Sequence, residues 1–388
     1  MRIRDLAEEV VSPAEAFVNA VCAQATRSSE LPYVLSYFPV ASMNPFQRLL
    51  YSRAAECGFA IVPTLQINQL GRVHWRGRSV LHLHWLTSVL KDVDTRRAAE
   101  VRIASFQSEL TAWRAAGHKL VWSMHNVLPH DCLLPEAELA LRRTLVEGVD
   151  AIHVLSRASV EEARKLYDVP DDKIFHTPHP SYEDWYANVD DPVSARLDLD
   201  LPAASFNVLF FGSLQPYKGV IELIDAFTRL RERHPTRQLN LVIAGKPVDA
   251  DYVERIHGAV LDNPAIRFIP SAMEERQIQV LFNAADVVAA PYRRTLNSGV
   301  AMLTATFRKS LVAPRAGGVY ETFAKDPSLL YGSEPGDGLF EALERSLDHQ
   351  VAPEIFDEIL HSHHPARISK EFFSQLAGHV FAQATATA

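Results

Sequence analysis

Two stretches of this chain join glycine, a cation and a helix start in the manner that anion binding needs. Phe210-Phe211-Gly212-Ser213-Leu214-Gln215-Pro216-Tyr217-Lys218-Gly219-Val220 runs from an apolar segment through a glycine-bracketed loop to a lysine and a helical pattern. Glycine lets backbone approach a ligand closely. A helix N-terminus offers unpaired N–H groups and a partial positive charge. Lysine adds a compact full charge suited to phosphate. A plain strand-to-helix turn with a surface lysine would carry the same residues. Further on, Asn297-Ser298-Gly299 follows an apolar run and precedes another helix. These residues suit a turn and an N-cap, and equally a nest of backbone N–H groups around an anion.

A second chemistry resides in histidine. Val80-Leu81-His82-Leu83-His84-Trp85 places His82 and His84 on one face of a strand, at its carboxyl end. Val121-Trp122-Ser123-Met124-His125-Asn126 ends a later strand in the same way, with His130 and Asp131 just beyond. Parallel sheets place their ligands at the carboxyl ends of the strands. His82, His84, His125 and Asp131 form a credible metal-ligand set. Hydrogen-bonded histidines lining a polar cleft fit the same pattern, as does contact with a substrate.

The elements that must position these residues alternate between strand and helix. Apolar runs at 33–38, 60–63, 80–85, 120–124 and 151–155 read as strands, and 45–57, 95–116, 135–149 and 159–166 as helices. Ser12 with Glu15, and Ser159 with Glu162, have capping-box spacing. The alternation restarts with strands at 207–211, 239–244, 265–269, 287–290 and 310–313. Helices at 220–233, 249–261, 274–284 and 299–308 lie between them. Such alternation predicts α/β architecture with parallel sheets covered on both faces, here two Rossmann-like doubly wound domains facing a central cleft. We place a helical extension at 1–30, a first domain at 31–185, an Asp/Pro/Ala-rich linker at 186–204, a second domain at 205–350, and helices at 351–388 that pack back toward the first domain.

Composition narrows the function classes. The 39 basic and 47 acidic residues leave a net charge of −8, which argues against a nucleic-acid binder. Cys22, Cys57 and Cys132 are too scattered for a disulfide framework or a zinc knuckle, so a reducing, cytoplasmic compartment fits. The acidic start is not a signal peptide, and no apolar stretch of about eighteen residues predicts a membrane span. Peripheral contact with the inner face of a membrane stays open. Arg96, Arg97, Arg102, Arg142 and Arg143 could meet anionic lipid, although a solvated helix face is the simpler reading. No Gly-x-Gly-x-x-Gly follows any strand, which disfavours a dinucleotide-dependent dehydrogenase.

The loop beginning at Gly212 resembles the phosphate loop of GT-B glycosyltransferases of the retaining family-4 (glycosyl transferases group 1) type. Those read Phe-x-Gly-x-Leu-x-x-x-Lys-Gly followed by Leu-Ile-x-Ala-Phe, and here Val220-Ile221-Glu222-Leu223-Ile224-Asp225-Ala226-Phe227 follows. The resemblance implies that Gly212, Ser213, Lys218, Asn297, Ser298 and Gly299 hold the diphosphate of a nucleotide-sugar donor. Where the family often has arginine, this chain has Ser213. It implies nucleotide and sugar contacts at Gly245, Lys246, Tyr292, Arg293 and Glu321. The chain diverges in the double-glutamate motif: aligned on Gly299, the two places hold Leu296 and Thr304.

In the first domain, His125 stands where the family has a histidine beside the donor sugar, with Asn126 where Asp is common. Asp131 is the carboxylate that could act as base in an inverting reaction. His82, His84, Asn126, His179 and Asn44 are expected to line the cleft or contact the acceptor. His179 lies in Thr177-Pro178-His179-Pro180, which resembles the Ile-Pro-x-Gly stretch at the domain border. The implied activity is metal-independent, cofactor-free hexosyl transfer to a sugar, lipid-linked or small-molecule acceptor. A nucleotide-sugar-binding pseudo-enzyme or a GT-B epimerase would share both loops, whereas a phosphorylase would add a cofactor-lysine motif that is absent.

Overall fold

The computed structural model describes residues 13–27, 31–41, 44–67, 75–129, 132–293, 296–297, 299–332 and 336–381. The chain forms two compact units, one from residues 1–178 and 366–388 and the other from 179–365.

The sheet of the first unit contains β1 (Tyr33–Phe38), β2 (Phe59–Pro63), β3 (Ser79–Leu83), β4 (Lys119–Met124), β5 (Ala151–Val154) and β6 (Ile174–His176). All pairs are parallel, in the order β2-β1-β3-β4-β5-β6. Both faces are covered, which is why the strands read as continuous apolar runs. One face packs against α3 (Arg96–Ala115), α4 (Pro135–Gly148) and α5 (Arg157–Arg164), through Phe106, Leu110, Trp113, Leu141, Leu145 and Val160. The other face packs against α2 (Phe46–Leu50) and the last helix, α14 (Pro365–Phe381), whose Ile368, Phe372, Phe373 and Leu376 meet Leu35, Val80 and Val121. Helix α1 (Pro13–Ala25) sets Phe17 against Val34, Ala60 and Val62.

The second unit repeats the plan with β7 (Phe206–Phe211), β8 (Leu239–Ala244), β9 (Ile266–Ile269), β10 (Val287–Ala289), β11 (Ser310–Pro314) and β12 (Leu330–Tyr331). Its parallel order is β12-β11-β10-β7-β8-β9. Its helices are α6 (Pro192–Asp198), α7 (Val220–Arg233), α8 (Ala250–Val260), α9 (Glu275–Ala284), α10 (Gly299–Thr306), α11 (Gly317–Thr322), α12 (Gly338–Ser346) and α13 (Pro353–Ser362). Among the described residues, no helix is long and apolar enough to cross a membrane.

Several expectations shift. The helix expected over 45–57 stops at Leu50 and resumes as a 3-10 turn over Ala54–Cys57, because the Arg53 N–H leaves the helical ladder to donate to Ser369 Oγ at 2.9 Å. Ser159 does not cap the helix expected at 159–166: α5 starts earlier, at Arg157, and Ser159 is buried against Ser156 Oγ at 2.6 Å. Ser12 lies outside the described residues. The short strands β6 and β12 escaped the sequence reading.

The chain passes between units at 178/179, ahead of the stretch read as a linker. Residues 186–204 fold as part of the second unit, because Asp191 caps α6 by accepting from the N–H groups of Val193 and Ser194 at 2.9 and 3.1 Å. Ala195, Leu199 and Leu201 are then buried. Helices α13 and α14 divide between the two units.

Candidate functional site

In the second unit the strand order reverses direction between β7 and β10, the switch point where doubly wound sheets bind ligands. The glycine loop leaves β7 there and Tyr292 follows β10. Gly219 has φ +71°, and a Cβ on it would strike the Pro291 carbonyl, so this turn needs glycine. Gly245 packs its backbone directly against the Gly212 carbonyl, where any side chain would collide. The loop is thus clamped from two sides.

Much of its backbone is already engaged. The N–H groups of Gly212, Leu214, Lys218 and Gly219 donate to Ala244, Lys246, Gln215 and Pro216 carbonyls at 2.9–3.3 Å. The first amides of α7 also differ from the sequence expectation of open donors. Val220 and Ile221 donate to Tyr252 Oη at 3.0 and 3.4 Å, so a tyrosine caps this helix.

The charge at this place is Lys218. Its Nζ sits 3.9 Å from the centroid of the Tyr292 ring, in a cation–π contact. Among the described residues no carboxylate pairs with it, and burial lowers its pKa. Tyr292 Oη and Lys218 Nζ come within 3.7 and 3.8 Å of the point where a Cβ on Gly212 would sit. Gly212, Lys218 and Tyr292 therefore converge.

The second loop lies beside residues of the domain border. Tyr182 Oη and His179 Nε2 approach the Cβ position of Gly299 to 2.8 and 3.9 Å. His179 donates Nδ1–H to the Pro180 carbonyl at 2.7 Å, and burial lowers its pKa to about 4. Asn297 is half-buried, while Ser298 lies outside the described residues. Leu296 and Thr304, in the places of the two glutamates, are 7% and 0% exposed. Other expected contacts lie at the surface: Lys246 and Glu321 are exposed, and the Arg293 guanidinium is turned outward onto Glu222. Ser213 is half-buried.

In the first unit the histidines form one chain of hydrogen bonds. His84 Nδ1 lies 3.0 Å from His125 Nε2. Tyr51 Oη lies 2.6 Å from His84 Nε2 and 2.7 Å from His82 Nδ1. His82 Nε2 is 2.8 Å from Ser123 Oγ, which is 2.7 Å from His153 Nδ1. His153 Nε2 ends the chain on Thr177, at 2.7 Å from Oγ1 and 3.3 Å from the carbonyl oxygen.

Phe372 of α14 stacks on His82 at 5.2 Å, and Trp85 stacks on His125 at 4.1 Å. Burial holds the pKa values of His82 and His84 well below 6.5. Burial, followed by repulsion from His176, takes His153 to about 3. His82, His84 and His153 are therefore neutral. Among the described residues, no group of three or more His, Cys, Asp or Glu could hold a metal ion.

His125 and Asn126 share a cavity of about 20 Å³ with His84, Trp85, Trp122 and Arg142, room for about one water molecule. Arg142 departs from the solvated face expected of it. Its side chain is 4% exposed and pairs with Glu138 at 2.7 Å, while its Nε–H is buried without an acceptor among the described residues. Arg96, Arg97, Arg102 and Arg143 are exposed. The Asn44 Oδ1 accepts from Phe46 N–H at 3.0 Å and so opens α2. Asp131 lies outside the described residues.

Tyr51, Ser123, His153, Thr177 and Arg142 were missed. A signal for three members of the chain existed: β3, β4 and β5 each carry a polar residue (His82, Ser123, His153) two places beyond an inward apolar one (Val80, Val121, Ala151), all on the α14 face.

Comparison with known proteins shows what this geometry is similar to. Residues 205–349 match the family described as Glycosyl transferases group 1. A GDP-mannose:glycolipid 4-beta-D-mannosyltransferase of Xanthomonas campestris pv. campestris is 24% identical over 293 residues, 74% of this chain and 76% of that protein. A D-inositol 3-phosphate glycosyltransferase of Corynebacterium aurimucosum is 29% identical over 235 residues, 59% of this chain and 55% of its own length. Among solved structures, Anabaena HepE in complex with UDP and glucose superposes with a TM-score of 0.64 at 16% identity, covering 89% of this chain and all of that one. An alpha,alpha-trehalose-phosphate synthase (UDP-forming) from Burkholderia xenovorans gives 0.65 at 16% identity, with the same coverage. With residues 205–349 matching a group 1 transferase domain and two parallel six-stranded sheets, the chain has the GT-B fold and is similar to glycosyltransferases of the family-4 type.

Proposed function

We propose that the protein transfers a hexosyl group from a nucleoside-diphosphate sugar to an acceptor hydroxyl. The observation that carries this reading is Lys218, a cation without a carboxylate partner among the described residues, held on the Tyr292 ring at the switch point of the second sheet. A partly desolvated cation is an incomplete ion pair, and a donor diphosphate completes it. The start of α10 at Gly299 supplies further donors. With Leu296 and Thr304 buried, the ribose and sugar contacts fall to other groups, for which Glu321 and the surroundings of His179 are the candidates.

GDP-mannose is the first donor to test, because the Xanthomonas relative is a GDP-mannose-dependent transferase; a UDP-sugar is the second, because HepE holds UDP. The acceptor is a sugar, a lipid-linked sugar or a small molecule, and glycolipid or exopolysaccharide assembly at the cytoplasmic face of a membrane suits it. In a retaining reaction the bond from the anomeric carbon to the diphosphate breaks. The acceptor oxygen bonds to that carbon on the same face, and its proton passes to a leaving diphosphate oxygen. Lys218 stabilises the charge that develops there, so no metal is required. His125 contacts the donor sugar.

A thermal-shift screen of nucleoside diphosphates and their sugars tests the reading, since a ligand of the native state raises Tm. GDP or UDP should raise it in the wild type and not in Lys218→Ala. If no nucleoside diphosphate shifts the wild type, the donor assignment is wrong. Turnover that is lost in EDTA and restored by magnesium would overturn metal independence.

A further inference from the structure

The chain His125–His84–Tyr51–His82–Ser123–His153–Thr177 crosses three adjacent strands beneath α14 without a gap. Its proton arrangement is constrained by valence. A neutral imidazole has one N–H and one lone pair. Tyr51 and Ser123 each have one proton to share between two ring nitrogens, so each donates to one ring and accepts from the other. The direction of a single bond therefore sets the direction of all the rest.

Thr177 supplies that direction. Its carbonyl oxygen, 3.3 Å from His153 Nε2, can only accept. Protonated Nε2 donates to it and to Oγ1, whereas a bare Nε2 would face the carbonyl lone pairs. With Nε2–H on His153, Nδ1 accepts from Ser123, and Ser123 accepts from His82 Nε2–H. His82 Nδ1 then accepts from Tyr51, Tyr51 accepts from His84 Nε2–H, and His84 Nδ1 accepts from His125 Nε2–H. All four rings carry their proton on Nε2.

We infer that Tyr51 is a positioning residue: with Ser123 it transmits the polarity set at Thr177 and holds His125 with a proton on Nε2, donated to His84. A histidine so fixed keeps one ring orientation, which fixes the edge it can present to a sugar. That consequence rests on the proposed contact between His125 and the donor sugar; the tautomer itself does not.

Long-range ¹⁵N NMR of the full chain labelled at histidine reads each tautomer directly. The wild type should show one tautomer, Nε2–H, for His82, His84, His125 and His153. In Tyr51→Phe, His153 should keep Nε2–H while His125 becomes a mixture of both forms. Ser123→Ala should do the same, and Ser123→Thr, which retains the hydroxyl, should restore the single form. An Nδ1–H signal for His125 in the wild type overturns the inference. So does an unchanged His125 tautomer in whichever of Tyr51→Phe and Ser123→Ala folds. If the tautomers respond as stated and donor turnover does not, the relay stands and the reading of His125 as a sugar contact fails.

Discussion

At the carboxyl ends of its strands the first unit gathers neutral rings and hydroxyls whose hydrogen bonds are met by one another. At the corresponding place the second unit holds Lys218, supported by an aromatic face and, among the described residues, by no carboxylate. One region is closed upon itself and the other is left incomplete. A buried polar group with partners contributes to the fold, whereas a desolvated charge without a counter-charge costs stability until a ligand supplies one. The first region should therefore answer mutation mainly in stability, and the second mainly in binding.

The sharpest way to break this contrast is to uncover the relay. Phe372 is fully buried against His82 and His153. Phe372→Ala should destabilise the first unit by about 4 kcal/mol in urea unfolding and leave nucleoside-diphosphate affinity in the second unit unchanged. An equal loss in both would show that the regions are not separable. Next in size is Arg142→Met, which strands the buried Glu138 carboxylate and should cost about 3 kcal/mol. The double variant with Glu138→Gln should recover most of it. A loss of turnover in that stable double variant would move Arg142 from the fold to the site.

Lys218→Met should reverse the pattern. Removing one charge-assisted contact should weaken diphosphate binding by about 2 kcal/mol, roughly 30-fold, by calorimetry. Stability without ligand should stay level or rise, since a desolvated cation is lost. A large fall in stability would mean that Lys218 is structural.

The gentlest test is acid. His82, His84 and His153 have folded pKa values below the ordinary 6.5, His153 at about 3. Between those limits the unfolded chain binds protons that the folded chain refuses, so stability falls as pH drops below 6.5. Each histidine contributes at most about 1.4 kcal/mol per pH unit, and for His153 the loss ends near pH 3. Lys218, also depressed, gives stability that rises as pH climbs from its lowered pKa to the ordinary 10.5. A first unit as stable at pH 5 as at pH 7 would contradict neutral, buried histidines.

The glycine–lysine loop between strand and helix was legible because its parts are contiguous: strand, Gly212, Lys218, Gly219 and helix lie within ten residues. The Tyr252 cap on α7 was not, since it comes from another helix. The relay joins residues whose adjacency depends on strand register and on a closing helix far along the chain. Arg142 looked like a surface charge because local pattern cannot distinguish an i,i+4 ion pair in solvent from one folded inward. The segment at 186–204 has the composition of a linker, yet Asp191 is a cap and Ala195, Leu199 and Leu201 are core. The alternation of strands and helices carried most of the fold; the ends of elements, where side chains from elsewhere intervene, carried the errors.

The placement of α14 also has a consequence for the order in which the molecule can be made. Arg53 and Ser369 bond across 316 positions, and the layer over Leu35, Val80 and Val121 includes Ile368, Phe372 and Leu376. During synthesis the strands of the first unit leave the ribosome early but keep one apolar face open until the entire second unit has been translated. The second unit is a single continuous segment and can close as soon as it emerges. The half made first is completed last, so the interval before α14 arrives is when an unpaired apolar sheet face must be shielded from aggregation.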